Sequence, residues 1–190
     1  MSQTQARRTR PGIHIDPQDR WWFGPNQITN PDVLSYFKAN LRRESASGEY
    51  FIVNRFGELL EHAYLDRVSG FPLLIESVLV TPETPADGEA SLILELRLDS
   101  RESMNVPASA LTIYDERTIG LVLPERDVPA RLGPLAMGSL ASMLDTPESD
   151  PSVYRLAAPD NGPAVLLKNG GRDELFATDA TDATDATDSE

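Results

Sequence analysis

Histidine is the side chain best matched to proton transfer near neutral pH, and the chain carries two, His14 and His62. His62 lies in the run Glu58–Asp66 (ELLEHAYLD). Read as one strand, that run puts Glu58, Leu60, His62, Tyr64 and Asp66 on a common face. A carboxylate two or four residues along could then orient the imidazole, which is the arrangement of an acid–base pair in a small hydrolase or isomerase. The competing reading is the polar face of an amphipathic strand. It is the stronger of the two, because no nucleophile or second base is identifiable beside His62. His14, between Ile13 and Ile15, reads as an exposed structural residue. Two histidines so far apart make a weak case for a metal, although carboxylates could complete a site, and no metal or cofactor is expected.

Trp21-Trp22-Phe23 is the densest aromatic cluster. On a strand, Trp21 and Phe23 point one way and Trp22 the other. One set should pack on a neighbouring helix, and the opposite aromatic is a candidate lining for a pocket or partner surface, since indole joins apolar area to one donor. Asp66, Phe71 and Pro72 are candidate groove residues beside it. The other motifs are weaker. Gly133-Pro-Leu-Ala-Met-Gly138-Ser139 lacks the lysine of a phosphate-binding loop and reads as a helix with small residues. The acidic groups Asp87-Gly88-Glu89 and Asp145, Glu148, Asp150 lack calcium-loop spacing and read as solvated carboxylates.

The composition bounds what any of these residues can serve. The 190 residues include thirty acids, fifteen arginines, only two lysines (Lys38 and Lys168) and no cysteine, for a net charge of −13. The lack of cysteine excludes disulfides, thiolate metal sites and a cysteine nucleophile. An acidic, lysine-poor surface stays soluble by carboxylate hydration when salt screens other charge effects, which predicts a halophile-like, cytoplasmic protein. An acidic body also repels nucleic-acid backbones and anionic lipid. No apolar run reaches the ~18 residues of a membrane span, and the N-terminus lacks the apolar stretch of a secretory leader.

The elements that must position these residues follow from periodicity. Residues 1–12, with Arg7, Arg8 and Arg10 and no acid, predict a disordered basic arm. Ile13–Ile15 and Trp21–Phe23 predict a hairpin around Asp16-Pro17-Gln18-Asp19. Asn30 and Pro31 predict a helix start; Val33, Leu34, Phe37 and Leu41 form its apolar stripe, and Arg42 and Arg43 close its last turn. Tyr50–Val53, Glu58–Leu65, Leu73–Val80 and Ser91–Leu98 read as strands, the last alternating cleanly. Residues 81–90 are a polar linker between an N-terminal half (13–80) and a C-terminal half (91–176). In the second half, Leu111–Tyr114 and Thr118–Leu123 predict a hairpin, Pro129–Leu144 a helix whose regular part begins at Pro134, and Val153–Ala157 with Ala164–Leu167 a final hairpin. Each half then holds one main helix, as two related halves would. Residues 177–190, built on four Ala-Thr-Asp repeats, predict a disordered acidic tail.

The order Ile13-His-Ile-Asp16, Trp21-Trp22, Gly24 to Ile28, Leu34, Phe37, Leu41-Arg42-Arg43, Gly48-Glu-Tyr50-Phe51-Ile52-Val53, and Asp66 to Phe71-Pro72 resembles the N-terminal half of the bacterial family called domain of unknown function 1285. A similar order occurs in uncharacterised protein family 0598. The resemblance covers about 70 residues. It implies an α+β fold of two related halves, no established activity, and a signalling or ligand-sensing role by fold analogy.

The sequence therefore predicts an α+β protein of mostly antiparallel, twisted sheet. Its expected role is a non-catalytic interaction or small-ligand-sensing domain that binds a protein or small molecule through Trp21, Trp22, Phe23, Asp66, Phe71 and Pro72. The alternative is a small hydrolase or isomerase using His62 with Glu58 or Asp66. The sequence leaves oligomeric state open.

Overall fold

The computed structural model describes residues 6–83, 90–115, 117–146, 154–158, 163–171 and 175–176. In chain order these form β1 (Arg7–Thr9), β2 (Ile13–Ile15), β3 (Trp21–Phe23), β4 (Asn26–Gln27), α1 (Pro31–Asn40), β5 (Leu41–Arg43), β6 (Tyr50–Phe56), β7 (Leu59–Tyr64) and β8 (Arg67–Val68). There follow β9 (Leu73–Glu83), β10 (Ser91–Leu98), β11 (Ser103–Pro107), a 3-10 turn (Ala108–Ala110), β12 (Thr112–Asp115), β13 (Thr118–Leu123), β14 (Val128–Leu132), α2 (Pro134–Ala141), β15 (Leu144–Asp145), β16 (Tyr154–Ala157) and β17 (Ala164–Asn169). The fold is α+β and strand-rich.

Three sheets share one apolar core. A nine-stranded sheet runs β11-β10-β9-β14-β13-β12-β17-β16-β15, and two four-stranded sheets run β1-β7-β6-β5 and β4-β3-β2-β8. Most neighbours are antiparallel; β1 with β7, β2 with β8, β9 with β14 and β12 with β17 are parallel. The alternation of β10 is realised as burial of Leu92, Leu94, Leu96 and Leu98, with Glu95 and Arg97 turned to solvent. This is the period-two rule with one face in the core.

The first hairpin forms as expected, with Ile13 opposite Phe23 and Ile15 opposite Trp21. Helix α1 begins as expected too: the Asn30 side chain accepts from the Asp32 and Val33 N–H groups and Pro31 opens the first turn. It ends earlier than the apolar stripe suggests. Leu41–Arg43 is strand β5 because Leu41 is fully buried opposite Ile52. Arg42 still reaches back, donating to the Ala39 and Leu41 carbonyls at 3.1 and 2.7 Å. Its neighbour Arg126 donates to Ala39 at 3.2 Å. Two arginines thus cover the carbonyl end of α1, where cations are favoured.

Three further expectations are corrected or refined. Within the basic arm, Arg7–Thr9 is a strand that pairs parallel with Glu61–Ala63. Of the helix expected over Pro129–Leu144, only Pro134–Ala141 is helical, and Val128–Leu132 is β14. Burial of Val128, Ala130 and Leu132 between two neighbouring strands overrides the helical reading. Pro129 is tolerated because pairing with β9 starts only at Ala130, so its missing N–H breaks no bond on that side. Finally, Thr81–Glu83 of the expected linker extend β9 and pair with Ile93–Ser91. The nine-stranded sheet therefore runs across the 81–90 segment. Residues 84–89, the turn Asp160-Asn161-Gly162 and the tail 177–190 lie outside the described residues.

Candidate functional site

The β2–β3 turn starts from Asp16, which is buried and acts as its hub. Its carboxylate accepts from the Gln18 and Arg20 backbone N–H groups at 2.9 and 3.0 Å, from Arg20 Nε at 2.7 Å and from Trp22 Nε1 at 3.0 Å. Burial alone would raise the Asp16 pKa. The Arg20 N–H, the Trp22 indole, the Arg20 guanidinium and the Gln18 N–H outweigh it and hold the carboxyl at about 2. The turn ends at Asp19, whose φ of 65° lies in the left-handed region. Aspartate is among the few side chains that accept this region readily. Gly70 packs directly beneath: a Cβ there would collide with the Asp16 carbonyl and the Asp19 carboxylate.

Asp19 is thereby aimed into a cleft. Its Oδ1 accepts from the Phe71 N–H at 2.6 Å, and its Oδ2 is paired with Arg131 Nε of β14. Across the cleft, Asp99 follows β10. Its Oδ1 accepts from the Leu74 N–H at 3.0 Å, its own N–H donates to the Leu74 carbonyl at 2.9 Å, and its Oδ2 is paired with Lys38 Nζ of α1. Gln18, Phe71, Pro72, Leu73 and Leu74 complete a cavity of about 210 Å³. Side-chain exposure is 14% for Lys38, 15% for Asp99, 17% for Asp19 and 34% for Arg131. At such burial ion pairs escape most solvent screening and hold fixed geometry. One of the chain's two lysines is spent here.

The residues expected from sequence scatter around this cleft. Phe71 and Pro72 line it. Trp21 is buried behind it, donating from Nε1 to the Pro72 carbonyl at 3.3 Å and packing on Phe37 of α1 with ring centres 6.1 Å apart. Trp22 lies on the opposite face of the hairpin, stacked on His14 and tied to Asp16. Phe23 is half exposed. Asp66 is exposed after β7; its N–H donates to the Ile13 carbonyl at 2.8 Å.

His62 is half-buried on β7, its ring 4.5 Å from that of Phe51. A carboxylate near it is Glu44. Ser47 Oγ, at 2.6 Å, does most to pull the Glu44 carboxyl below its usual range; burial opposes this, and Arg8, Tyr64 and His62 add to it. Glu58 sits in the exposed turn before β7. Among the described residues no hydrogen bond or ion pair joins His62 to Glu58 or Asp66. Nor does any group of three or more His, Cys, Asp or Glu there stand in position to hold a metal ion. Of the acidic clusters, Asp145 forms an exposed pair with Arg155 at 2.9 Å; Asp87, Glu89, Glu148 and Asp150 lie outside the described residues.

A wider groove of about 480 Å³ runs between Leu74, Glu76, Ser77 and Arg97 of the large sheet and Gly133–Leu135 at the start of α2. Its charged side chains, Glu76 and Arg97, are at least half exposed and 3.9 Å apart. The smaller cleft, with paired and shielded charges, is the better candidate. Sequence reading missed Asp19, Lys38, Asp99 and Arg131. The available signals were a turn-ending aspartate and a lysine in a chain that nearly lacks them, and neither indicates a partner.

No protein-family model matches the sequence, and no curated protein matches it. The structure is similar to the crystal structure of a DUF1285 family protein from Silicibacter pomeroyi DSS-3, with a TM-score of 0.60 and 13% identity over 90% of this chain and 86% of that one. No helix among the described residues is long and apolar enough to cross a membrane. The resemblance read from Ile13 to Val80 thus extends, in fold, along most of the chain: this protein has the fold of a DUF1285 family protein.

Proposed function

We propose that the protein is a non-catalytic small-ligand-sensing domain whose binding site is the cleft between the β2–β3 turn, α1 and the ends of β9, β10 and β14. One observation carries this reading: four charged side chains from four separate segments are shielded from solvent and paired around a cavity. Stability alone gives little reason to gather them, because desolvating two ion pairs costs about what their attraction returns. Each carboxylate is tied by one backbone N–H and one cation, so it holds that cation in place rather than standing ready as a base. The hydrolase or isomerase reading needs His62 beside Glu58 or Asp66, and among the described residues no hydrogen bond or ion pair joins them. Within the present reading, Phe71 and Pro72 belong to the cleft wall, Trp21 supports it, and Trp22, Phe23 and Asp66 lie aside.

The wider setting belongs to the same proposal: a cytoplasmic, halophile-like signalling module of two related halves, with no nucleic-acid partner. Thermal-shift screening against metabolites, in low and high salt, tests the site, since a ligand raises the melting temperature by mass action. The expected result is a shift that Arg131→Gln removes and Trp22→Ala leaves intact. A shift untouched by Arg131→Gln refutes the site. Stability rising towards molar salt supports the halophile reading, and maximal stability in dilute buffer contradicts it.

A further inference from the structure

The hydrogen-bonding ledger of the cleft is lopsided. All four carboxylate oxygens of Asp19 and Asp99 already accept, from Phe71 N–H, Arg131, Leu74 N–H and Lys38. The two cations are not used up. Lys38 Nζ has three donors and spends one on Asp99; the Arg131 side chain has five N–H donors and spends its Nε on Asp19. Neither side chain makes another hydrogen bond among the described residues. Each carboxylate oxygen keeps a lone pair, but Lys38 and Arg131 keep more: about two free donors on Lys38 and four on Arg131, all held on two fixed cations.

Charge and size narrow the class of ligand. Two lysine or arginine charges stand against two aspartate charges, so the cleft is close to neutral overall. In a cleft of near-zero net charge a second negative charge on the ligand gains little attraction, while its desolvation costs more, so a monoanion fits better than a dianion such as hydrogen phosphate. Phe71 and Leu73 are almost fully buried, so the wall from Phe71 to Leu74 presents more backbone than apolar side chain. About 210 Å³ falls below the roughly 300–1,000 Å³ of clefts that take drug-sized ligands. We propose that the cleft binds a small monocarboxylate of a few carbons, its carboxylate held between Lys38 and Arg131 and its short body against the Phe71–Leu74 wall. This rests on the cleft being the binding site, and it adds the chemical class of what binds there.

The test is a backbone-amide NMR titration of the full chain at fixed ionic strength with propionate, propanamide, propylamine and inorganic phosphate. Propionate should shift the Leu73, Leu74 and Asp99 amides saturably, while propanamide and propylamine leave them in place and phosphate binds more weakly. Arg131→Gln and Lys38→Met should each weaken propionate binding about tenfold or more, because each removes a charge-assisted donor. The amide map of the wild-type protein decides the matter even if one variant fails to fold. If propanamide or propylamine saturates these amides as well as propionate does, or phosphate binds more tightly, the monocarboxylate class is overturned while the cleft stands as a site. If no probe of any charge moves them, both the class and the site fall.

Discussion

Two regions of this molecule gather arginines, carboxylates and aromatic rings, and they do so to different ends. In the cleft, Arg131 and Lys38 meet Asp19 and Asp99 at side-chain exposures of 14–34%, and each carboxylate is also fixed by a backbone N–H. Along the β1–β7 edge, Arg8 and Arg10 reach Glu49 and lie over the Tyr64 ring at 4.1 and 5.6 Å, with the arginines 59% and 54% exposed. The first set is held by the fold from four directions. The second is a surface clasp on a three-residue strand. The chemistry of the groups is shared, and burial with backbone support separates a shaped site from a solvated one.

The sharpest way to break the comparison is Asp99→Ala. It leaves Lys38 buried without its partner and the Leu74 N–H without its acceptor, and should cost about 3–5 kcal/mol in denaturant unfolding. Gly70→Ala comes next. A Cβ there must push aside the Asp16 carbonyl and the Asp19 carboxylate, for a loss of about 2–3 kcal/mol together with the Asp19–Arg131 alignment. Asp16→Asn should cost about 2 kcal/mol at neutral pH, since it weakens charge-assisted bonds to the turn. Its pH dependence has a defined sign. The folded pKa of about 2 lies below the ordinary 3.8, so the wild-type advantage is complete above about pH 4 and disappears as pH falls through 2. Acid titration of both proteins should show the gap closing in that window. At the other extreme, Arg10→Ala on the surface clasp should cost under about 1 kcal/mol, and less still in 0.5 M salt.

Legibility from sequence followed periodicity. Strand β10 and the first hairpin were readable because burial on one face imposes strict alternation, as in Leu92, Leu94, Leu96 and Leu98. The start of α1 was readable from Asn30 and Pro31, since capping is a local interaction. Its end was not, because Leu41 satisfies a helical stripe and a buried strand position equally well. β14 was hidden for a related reason: Ala130 and Leu132 suit a helical turn leading into α2 as well as a strand, and only its place between β13 and β9 makes it a strand. The cleft was the least legible feature. Phe71 and Pro72 stood out as an aromatic-proline step after Gly70, but Asp19, Lys38, Asp99 and Arg131 meet only through a topology that brings a turn, a helix end and two strands together. No spacing along the chain encodes that meeting.

The most direct test compares one bound ligand across four proteins: wild type, Arg131→Gln, Trp22→Ala and His62→Ala. Calorimetric titration with the best compound from the thermal-shift screen, or with propionate, gives the affinities. The cleft account predicts wild-type affinity for Trp22→Ala and His62→Ala and a loss of about tenfold or more for Arg131→Gln. Full affinity in Arg131→Gln, with loss on changing Trp22 or His62, would contradict it and move the site to the outer face of the hairpin or to β7.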